Sequence, residues 1–271
     1  IVEQGARYSL AYSGAGRISG VDAVTAQYEM QGAAAVLNGD YHYVIDGHTA
    51  EHLVVAARNA AGDLGLFVID AGAEGVSRKL TPGMDQTRKL AKIDLRSVNV
   101  AEADILQQGE AASQTLKNVL SLAAIALAAE QVGVADKSLA LTVDYIGERK
   151  QFGRAVGSFQ AMKHKAADMM SKVEAARSAL YYAACIADEF FSGNPMGAEL
   201  YEAASVAKAY CCDAAFFNAG CAIQMHGGVG FTWEYDVHLY FKRAKAAQLA
   251  FGDSAWHREQ IATQLLGAAD G

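Results

Sequence analysis

Residues whose types and spacing could do chemistry gather in two segments. The first is Tyr145-Ile146-Gly147-Glu148-Arg149-Lys150-Gln151-Phe152-Gly153-Arg154, followed by Ser158-Phe159-Gln160. Glycines at 147, 153 and 157 punctuate a charged turn where one long helical stretch gives way to the next. A guanidinium and free backbone N–H groups at such a junction suit an anion, a pyrophosphate above all. The second segment is Gln224-Met225-His226-Gly227-Gly228-Val229-Gly230-Phe231-Thr232-Trp233-Glu234. Its glycines let a ligand approach the main chain closely, and the Gln224 amide suits an amide or ribose edge. Taken singly, each segment reads more readily as an ordinary interhelical corner or turn. Their joint presence in one chain is the more specific signal.

The elements that must position these residues are legible in the same 271 residues, 52% hydrophobic and 20% charged. That length suggests about two domains of roughly 150 residues, and the apolar fraction is ample for a packed core. The fold class expected is α+β, with an antiparallel β domain over 1–105 and a long-helix bundle over 106–271. Val36 to Gly47 carries Asn38-Gly39 and Asp46-Gly47, a hairpin signal between β-rich runs. Further strands are expected at His52–Ala57, Leu64–Ile69 and Lys92–Val100. From about Gln107 onward the pattern turns to Ala, Leu, Glu and Lys, with helices expected near 108–148, 157–191, 197–225, 234–247 and 253–266. Gly193-Asn194-Pro195 separates the second from the third. Helices this long need partners along their length, so a bundle and an oligomer follow.

Other classes are excluded on composition. The net charge of −7, with no Lys/Arg block, argues against a nucleic-acid partner. No uninterrupted apolar run reaches the roughly 20 residues of a membrane helix. Cys185, Cys211, Cys212 and Cys221 lie in helical sequence without CxxC or histidines at ligand spacing, so reduced thiols are expected, no metal site, and the cytoplasm as compartment. Ile1-Val2-Glu3-Gln4 lacks Met and an n-region, which suggests that a further portion of the protein precedes it.

The two segments together resemble the acyl-CoA dehydrogenase family, whose C-terminal domain carries an R-x-x-F-G…Q corner and a Q-x-x-G-G-x-G-(F/Y) loop. The resemblance runs the whole length of the chain. It implies a flavin enzyme that oxidises acyl-CoA thioesters to 2-enoyl-CoA, with an N-terminal helical domain of about a hundred residues absent from this chain. It also implies that these motifs hold the adenosine and pyrophosphate of a neighbouring subunit's FAD. By position, that assigns Arg149, Gln151, Phe152 and Gln160 to one cluster and Gln224, Gly227 and Gly228 to the other, although the family varies at the position of Gln151. A guanidinium on phosphate oxygens and exposed amides against a dianion agree with the role.

The chemistry of the family needs a carboxylate that removes the α-proton while the flavin accepts the β-hydride. Most members place it just before the last helix, a position that is Phe251 here; a minority place it on the first long helix, at Ala123 here. Glu130, seven residues on and about 10 Å along the same helix face, reads either as a relocated base or, preferably, as a carboxylate satisfied between helices. Asp253 is a second outsider. The flavin-facing Y-x-L-T-E-P-G-A-G-S-D pattern corresponds to Tyr8 to Ile18, with Ala11 in place of the hydroxyl and Arg17 in place of the serine. W-I-T corresponds to Tyr43-Val44-Ile45, so the threonine is lost. The chain keeps what it would donate to a neighbour and lacks what it would use itself.

The resemblance therefore implies the non-catalytic subunit of a heteromeric α2β2 acyl-CoA dehydrogenase, with one FAD per heterodimer. A homologous base-bearing subunit is the expected partner, an acyl-CoA the substrate, and an electron-transfer flavoprotein the acceptor. Steroid side-chain CoA esters are suggested by the similar actinobacterial heteromeric enzymes. The alternatives are a homotetramer whose base is Glu130 or Asp253, and a scaffold that has lost FAD. His226 is expected to pack or hydrogen-bond, His164, His238 and His257 to lie at the surface, and Met162, Met169 and Met170 to fill the bundle core.

Overall fold

The alternation of apolar and polar residues in the first hundred positions builds one sheet. The computed structural model describes residues 5–16 and 19–267. Its strands are β1 (Tyr8–Ala11), β2 (Gln27–Gln31), β3 (Ala34–Ile45), β4 (His52–Arg58), β5 (Leu64–Asp70), β6 (Val76–Thr81), β7 (Leu90–Val100) and β8 (Ile105–Gln108). They run in the order β6-β7-β3-β2-β4-β5-β8, with β1 beside β4. The pairing is mostly antiparallel. The sheet is mixed, though, because β4 meets β2 only at Arg58 and gives the rest of that side to β1, which runs parallel to it from Tyr8↔His52 to Ala11↔Val55. Leu37, Tyr41, Leu53, Val55, Phe67 and Ile93 are fully buried and form the core. The buried Tyr41 hydroxyl donates to the Ala56 carbonyl at 3.0 Å, so its polar tip costs little.

The Asn38-Gly39 hairpin expectation is overturned. The two residues lie inside the continuous β3, where the register against β7 slips between Leu37 and Gly39. This is a β-bulge whose extra residue lies on β7 at Arg96–Ser97, anchored by the Ser97 N–H donating to Asn38 Oδ1 at 2.8 Å. Gly39, at φ 144°, is required by close approach, since a Cβ there would stand 2.6 Å from Ala26 Cβ. Asp46-Gly47 does end the strand, with Asp46 at φ 53° and its carbonyl accepting from Thr49 N–H and Ala50 N–H. At one margin of the sheet, β6 presents Ser77, Arg78 and Lys79 to solvent.

Five helices follow: α1 (Glu110–Glu148), α2 (Gln160–Phe191), α3 (Gly197–His226), α4 (Val237–Leu249) and α5 (Ser254–Leu266), with a small hairpin of β9 (Lys150–Gln151) and β10 (Arg154–Ala155) between α1 and α2. All five expected helices are present. The chain divides into two compact units between Val119 and Leu120, inside α1. In the second unit α3 is the central helix, buried at Leu200, Ala203, Ala207, Cys211, Ala214 and Ala219. Alanine on so many faces lets neighbouring backbones approach closely. Asn218 of α3 donates to the Ala135 carbonyl of α1 at 3.2 Å and the Met169 carbonyl of α2 at 3.1 Å, tying three helices at one point. By length and composition α1 could cross a membrane, a test that core helices also pass; Ala124, Ala128, Val132 and Ala135 of its later part are buried in the bundle.

Three side chains depart from expectation. His238 and His257 are buried and Met170 is half exposed. Successive helical residues point about 100° apart, so the charges next to each histidine in sequence do not fix the face it occupies. Met169, as expected, is buried, and Met162 packs against the same core. Cys211 and Cys212 are buried and unpaired, with burial pushing their thiols up to about 12 and about 11; Cys185, by contrast, is exposed.

Candidate cofactor-binding site

The first segment is shaped by the end of α1. Arg149 is the residue just beyond the helix; its N–H donates to the Tyr145 carbonyl at 2.9 Å and its carbonyl accepts from Val156 N–H at 2.7 Å, closing the loop on itself. Within the loop Gln151 pairs with Arg154, and Phe152 (φ 52°) and Gly153 (φ 78°) are both left-handed, the geometry of a type I′ turn. A phenylalanine in that conformation costs about 1 kcal/mol. The ring it presents is 92% exposed, touched edge-on by Phe159 at 6.1 Å. The Arg154 guanidinium lies 4.0 Å above the Phe159 ring. Among the described residues the exposed Arg149 guanidinium has no hydrogen bond or ion pair. Gln151 is exposed, its amide turned to the Lys150 carbonyl at 2.8 Å. Gln160 opens α2 beside His164, Nε2 to Nε2 at 3.2 Å, and no side chain caps that helix start. Uncapped first-turn amides and free cationic side chains make this corner attractive to an anion.

The second segment caps α3. The carbonyl of the exposed Gln224 accepts from the N–H of Gly227, which at φ 64° turns the chain into a 3-10 turn over Gly227–Phe231. The three glycines serve different ends. Gly227 is required by its left-handed backbone, and Gly230 by packing, since a Cβ there would stand 2.7 Å from the Ile223 carbonyl oxygen. Gly228 is neither left-handed nor crowded, and a Cβ there would meet open space. The main chain at 227–228 is therefore bare of side-chain cover.

The structure brings the two segments to one end of the bundle. Tyr145, four residues before Arg149, stacks on His226, one residue before Gly227, at 4.2 Å and 18°. Tyr235 closes edge-on against both rings, at 5.4 and 5.5 Å. His226 Nδ1 donates to the Ala222 carbonyl at 2.7 Å, and burial lowers its pKa against the opposing effect of that hydrogen bond. Tyr145 and Tyr235 were not expected as members of this site. The spacing of Tyr145 from Arg149, one helical turn, is the signal that could have placed it there. Trp233, beyond the loop, is 72% exposed.

The two positions at which the resemblance expects a base, 123 and 251, hold no carboxylate. Ala123 is half-buried on α1. Phe251 and Gly252 form a left-handed turn between α4 and α5, at φ 55° and φ 100°. Asp253 caps α5, its carboxylate accepting from Trp256 N–H at 2.8 Å. Glu130 accepts from Arg243 of α4 at 2.9 Å and from the Gln131 amide at 3.0 Å, so its carboxylate is engaged between helices. In the β unit, Ala11 is buried, Tyr43 is exposed in a left-handed conformation at φ 58°, and the Ile45 carbonyl accepts from the Ser9 hydroxyl. Arg17 lies outside the described residues.

The chain is similar to known proteins over most of its length. Residues 113–266 match the family model for the acyl-CoA dehydrogenase C-terminal domain. Acyl-CoA dehydrogenase IpdE2 of Mycobacterium tuberculosis is 37% identical over 217 residues, which are 80% of this chain and 57% of that protein. Butyryl-CoA dehydrogenase of Megasphaera elsdenii superposes with a TM-score of 0.87 and 25% identity over 96% of this chain and 68% of its own. A variant of the Tcur3481-Tcur3483 steroid ACAD superposes with a TM-score of 0.84 and 30% identity, covering all of this chain and 70% of its own. The chain spans 57% and 58% of the length of the two IpdE2 relatives it matches.

Proposed function

Because this chain belongs to the acyl-CoA dehydrogenase family, we propose that it is the non-catalytic subunit of a heteromeric acyl-CoA dehydrogenase, clamping the ADP half of an FAD whose flavin ring serves a base-bearing partner subunit. The observation that carries this reading is the Tyr145–His226 stack, which unites Arg149 with the bare Gly227-Gly228 main chain while positions 123 and 251 hold no carboxylate. Bound FAD supplies the hydride acceptor for α,β-dehydrogenation of the thioester. The residues of this chain bind and orient. Arg149 neutralises phosphate oxygens with a planar fork that no carboxylate among the described residues competes for. Gly227 and Gly228 let the pyrophosphate approach the backbone, Gln224 reads the ribose or adenine edge, and Gln151, Phe152 and Gln160 flank the nucleotide on the α1–α2 side.

The α-proton would be removed by the partner's carboxylate. Glu130 and Asp253 are poor substitutes, the first tied to Arg243 and the second capping a helix. The likeness to a steroid ACAD supports a bulky CoA ester, including steroid side-chain CoA esters, as substrate. An electron-transfer flavoprotein is the acceptor this reading requires.

The test is co-expression with a base-bearing homologue, with native mass and FAD per chain measured beside the chain alone. A heterotetramer with two FAD, and a colourless lone chain, is the expected result. A yellow homotetramer with four FAD would overturn the proposal. In the complex, Arg149→Ala is expected to weaken FAD binding by about 2 kcal/mol, roughly 30-fold, with the melting curve of the apo-chain unchanged.

A further inference from the structure

The turn between α4 and α5 is held from beneath by two groups that the sequence does not advertise. Lys208 of α3 is fully buried, and its ammonium donates to the carbonyls of Ala247 at 3.1 Å, Gln248 at 3.0 Å and, closer still, Gly252. An ammonium has three donors, and all three are used on carbonyls, two of them in the last turn of α4 where no helical N–H remains to satisfy them. His257, one turn into α5, is also buried, with Nε2 2.9 Å from the Phe251 carbonyl and Nδ1 3.0 Å from the Ser205 hydroxyl. A carbonyl only accepts, so Nε2 carries the proton and Nδ1 accepts from Ser205. Ser205 and Lys208 lie three residues apart on one face of α3. Together the lysine and the histidine seize the carbonyls of residues 251 and 252, the two left-handed positions of the turn.

The arrangement is more than packing requires. Burying an ammonium without a carboxylate partner is costly. The nearby Asp213 is occupied by Ser254 and Arg258, and Asp253 by its cap. A turn that merely reversed the chain could place glycine or asparagine at 251 and dispense with the lysine. Instead a phenylalanine is forced into a conformation it disfavours, and buried polar groups hold it there.

We infer that Lys208 and His257 are positioning residues that fix the backbone of residue 251, so that this chain retains the mount of that side chain although no carboxylate is mounted on it. Only the significance of position 251 rests on the function proposed above; the lock itself is a property of the folded chain.

Hydrogen exchange of the peptides covering 248–257 tests it, in a double-mutant cycle of Lys208→Met with Phe251→Asn, asparagine being at ease in the left-handed region. Lys208→Met is expected to speed exchange of the turn at least tenfold when residue 251 is phenylalanine, and less than threefold in the Phe251→Asn background. Equal acceleration in both backgrounds would mean that Lys208 only fills space, and would overturn the inference. Should Lys208→Met fail to fold, His257→Gln against His257→Leu decides the same question. Glutamine keeps a donor for the Phe251 carbonyl and should leave exchange within threefold of the parent, whereas leucine should raise it tenfold; equal effects would sink the idea. Neither measurement reads flavin or turnover, so failure of the subunit proposal leaves this result standing, and the reverse.

Discussion

Gly228 has room for a methyl group and no left-handed backbone, so Gly228→Ala should leave thermal stability where it was while flavin retention in the complex falls at least tenfold. Gly230→Ala should do the opposite to the fold, since its Cβ would collide with the Ile223 carbonyl; overpacking of this kind costs about 1–3 kcal/mol, readable in a urea melt. His257 makes a different prediction. Burial, followed by the charge of Lys208, pushes its pKa down from 6.5 to about 4, against weaker support for the cation from the Phe251 carbonyl and Asp253. A pKa lower in the folded state means that the unfolded chain binds more protons between about pH 6.5 and pH 4. Its contribution is therefore complete above pH 6.5 and is lost on acidification, by on the order of 3 kcal/mol. Urea melts across that window should show a slope that His257→Gln flattens. Little of this was legible beforehand. Arg258 and Glu259 beside His257 suggest a surface histidine, and its partner Ser205 is 52 positions away in the chain. Lys208 left a faint trace, as a lone cation on the apolar stripe of Ala204, Ala207 and Cys211.

Among elements, the helices were readable because their stops are chemical: Gly193 and Pro195 part α2 from α3, and Gly227 ends α3. The strands were less so. Asn38-Gly39 carries the local signature of a hairpin, yet pairing with β7 on one side and the approach of Ala26 on the other keep the strand running through it, and no local pattern encodes those neighbours. Likewise β1, four residues long, is a strand because β4 offers it an open flank. Between α1 and α4, the Glu130–Arg243 pair is a helix-to-helix contact, and Glu130→Gln should cost about 1 kcal/mol of stability. It should leave dehydrogenation by the assembled complex above half its parent rate in a dye-reduction assay. Abolished turnover would instead make Glu130 a base.

At the scale of the whole molecule, the two segments were legible through their joint resemblance to one family, whereas their convergence was not. It depends on Tyr145 and His226, 81 positions apart, meeting face to face. One margin of the sheet carries a consequence of another kind. Among the described residues strand β6 pairs with β7 alone, and its other side offers N–H and C=O groups to another strand. Arg78 folds back, its Nη1 donating to the Ala50 carbonyl at 2.7 Å, while Lys79 stands free among the described residues, beside the half-exposed Leu80. Removing that charge with Lys79→Val, in a strand that already reads Val76, Leu80 and Thr81, should let molecules zip edge to edge. Light scattering and thioflavin fluorescence of concentrated solutions would then rise with time, while the far-ultraviolet spectrum of freshly prepared material matches the parent. On this expectation a single lysine would separate a sheet that ends from one that can grow.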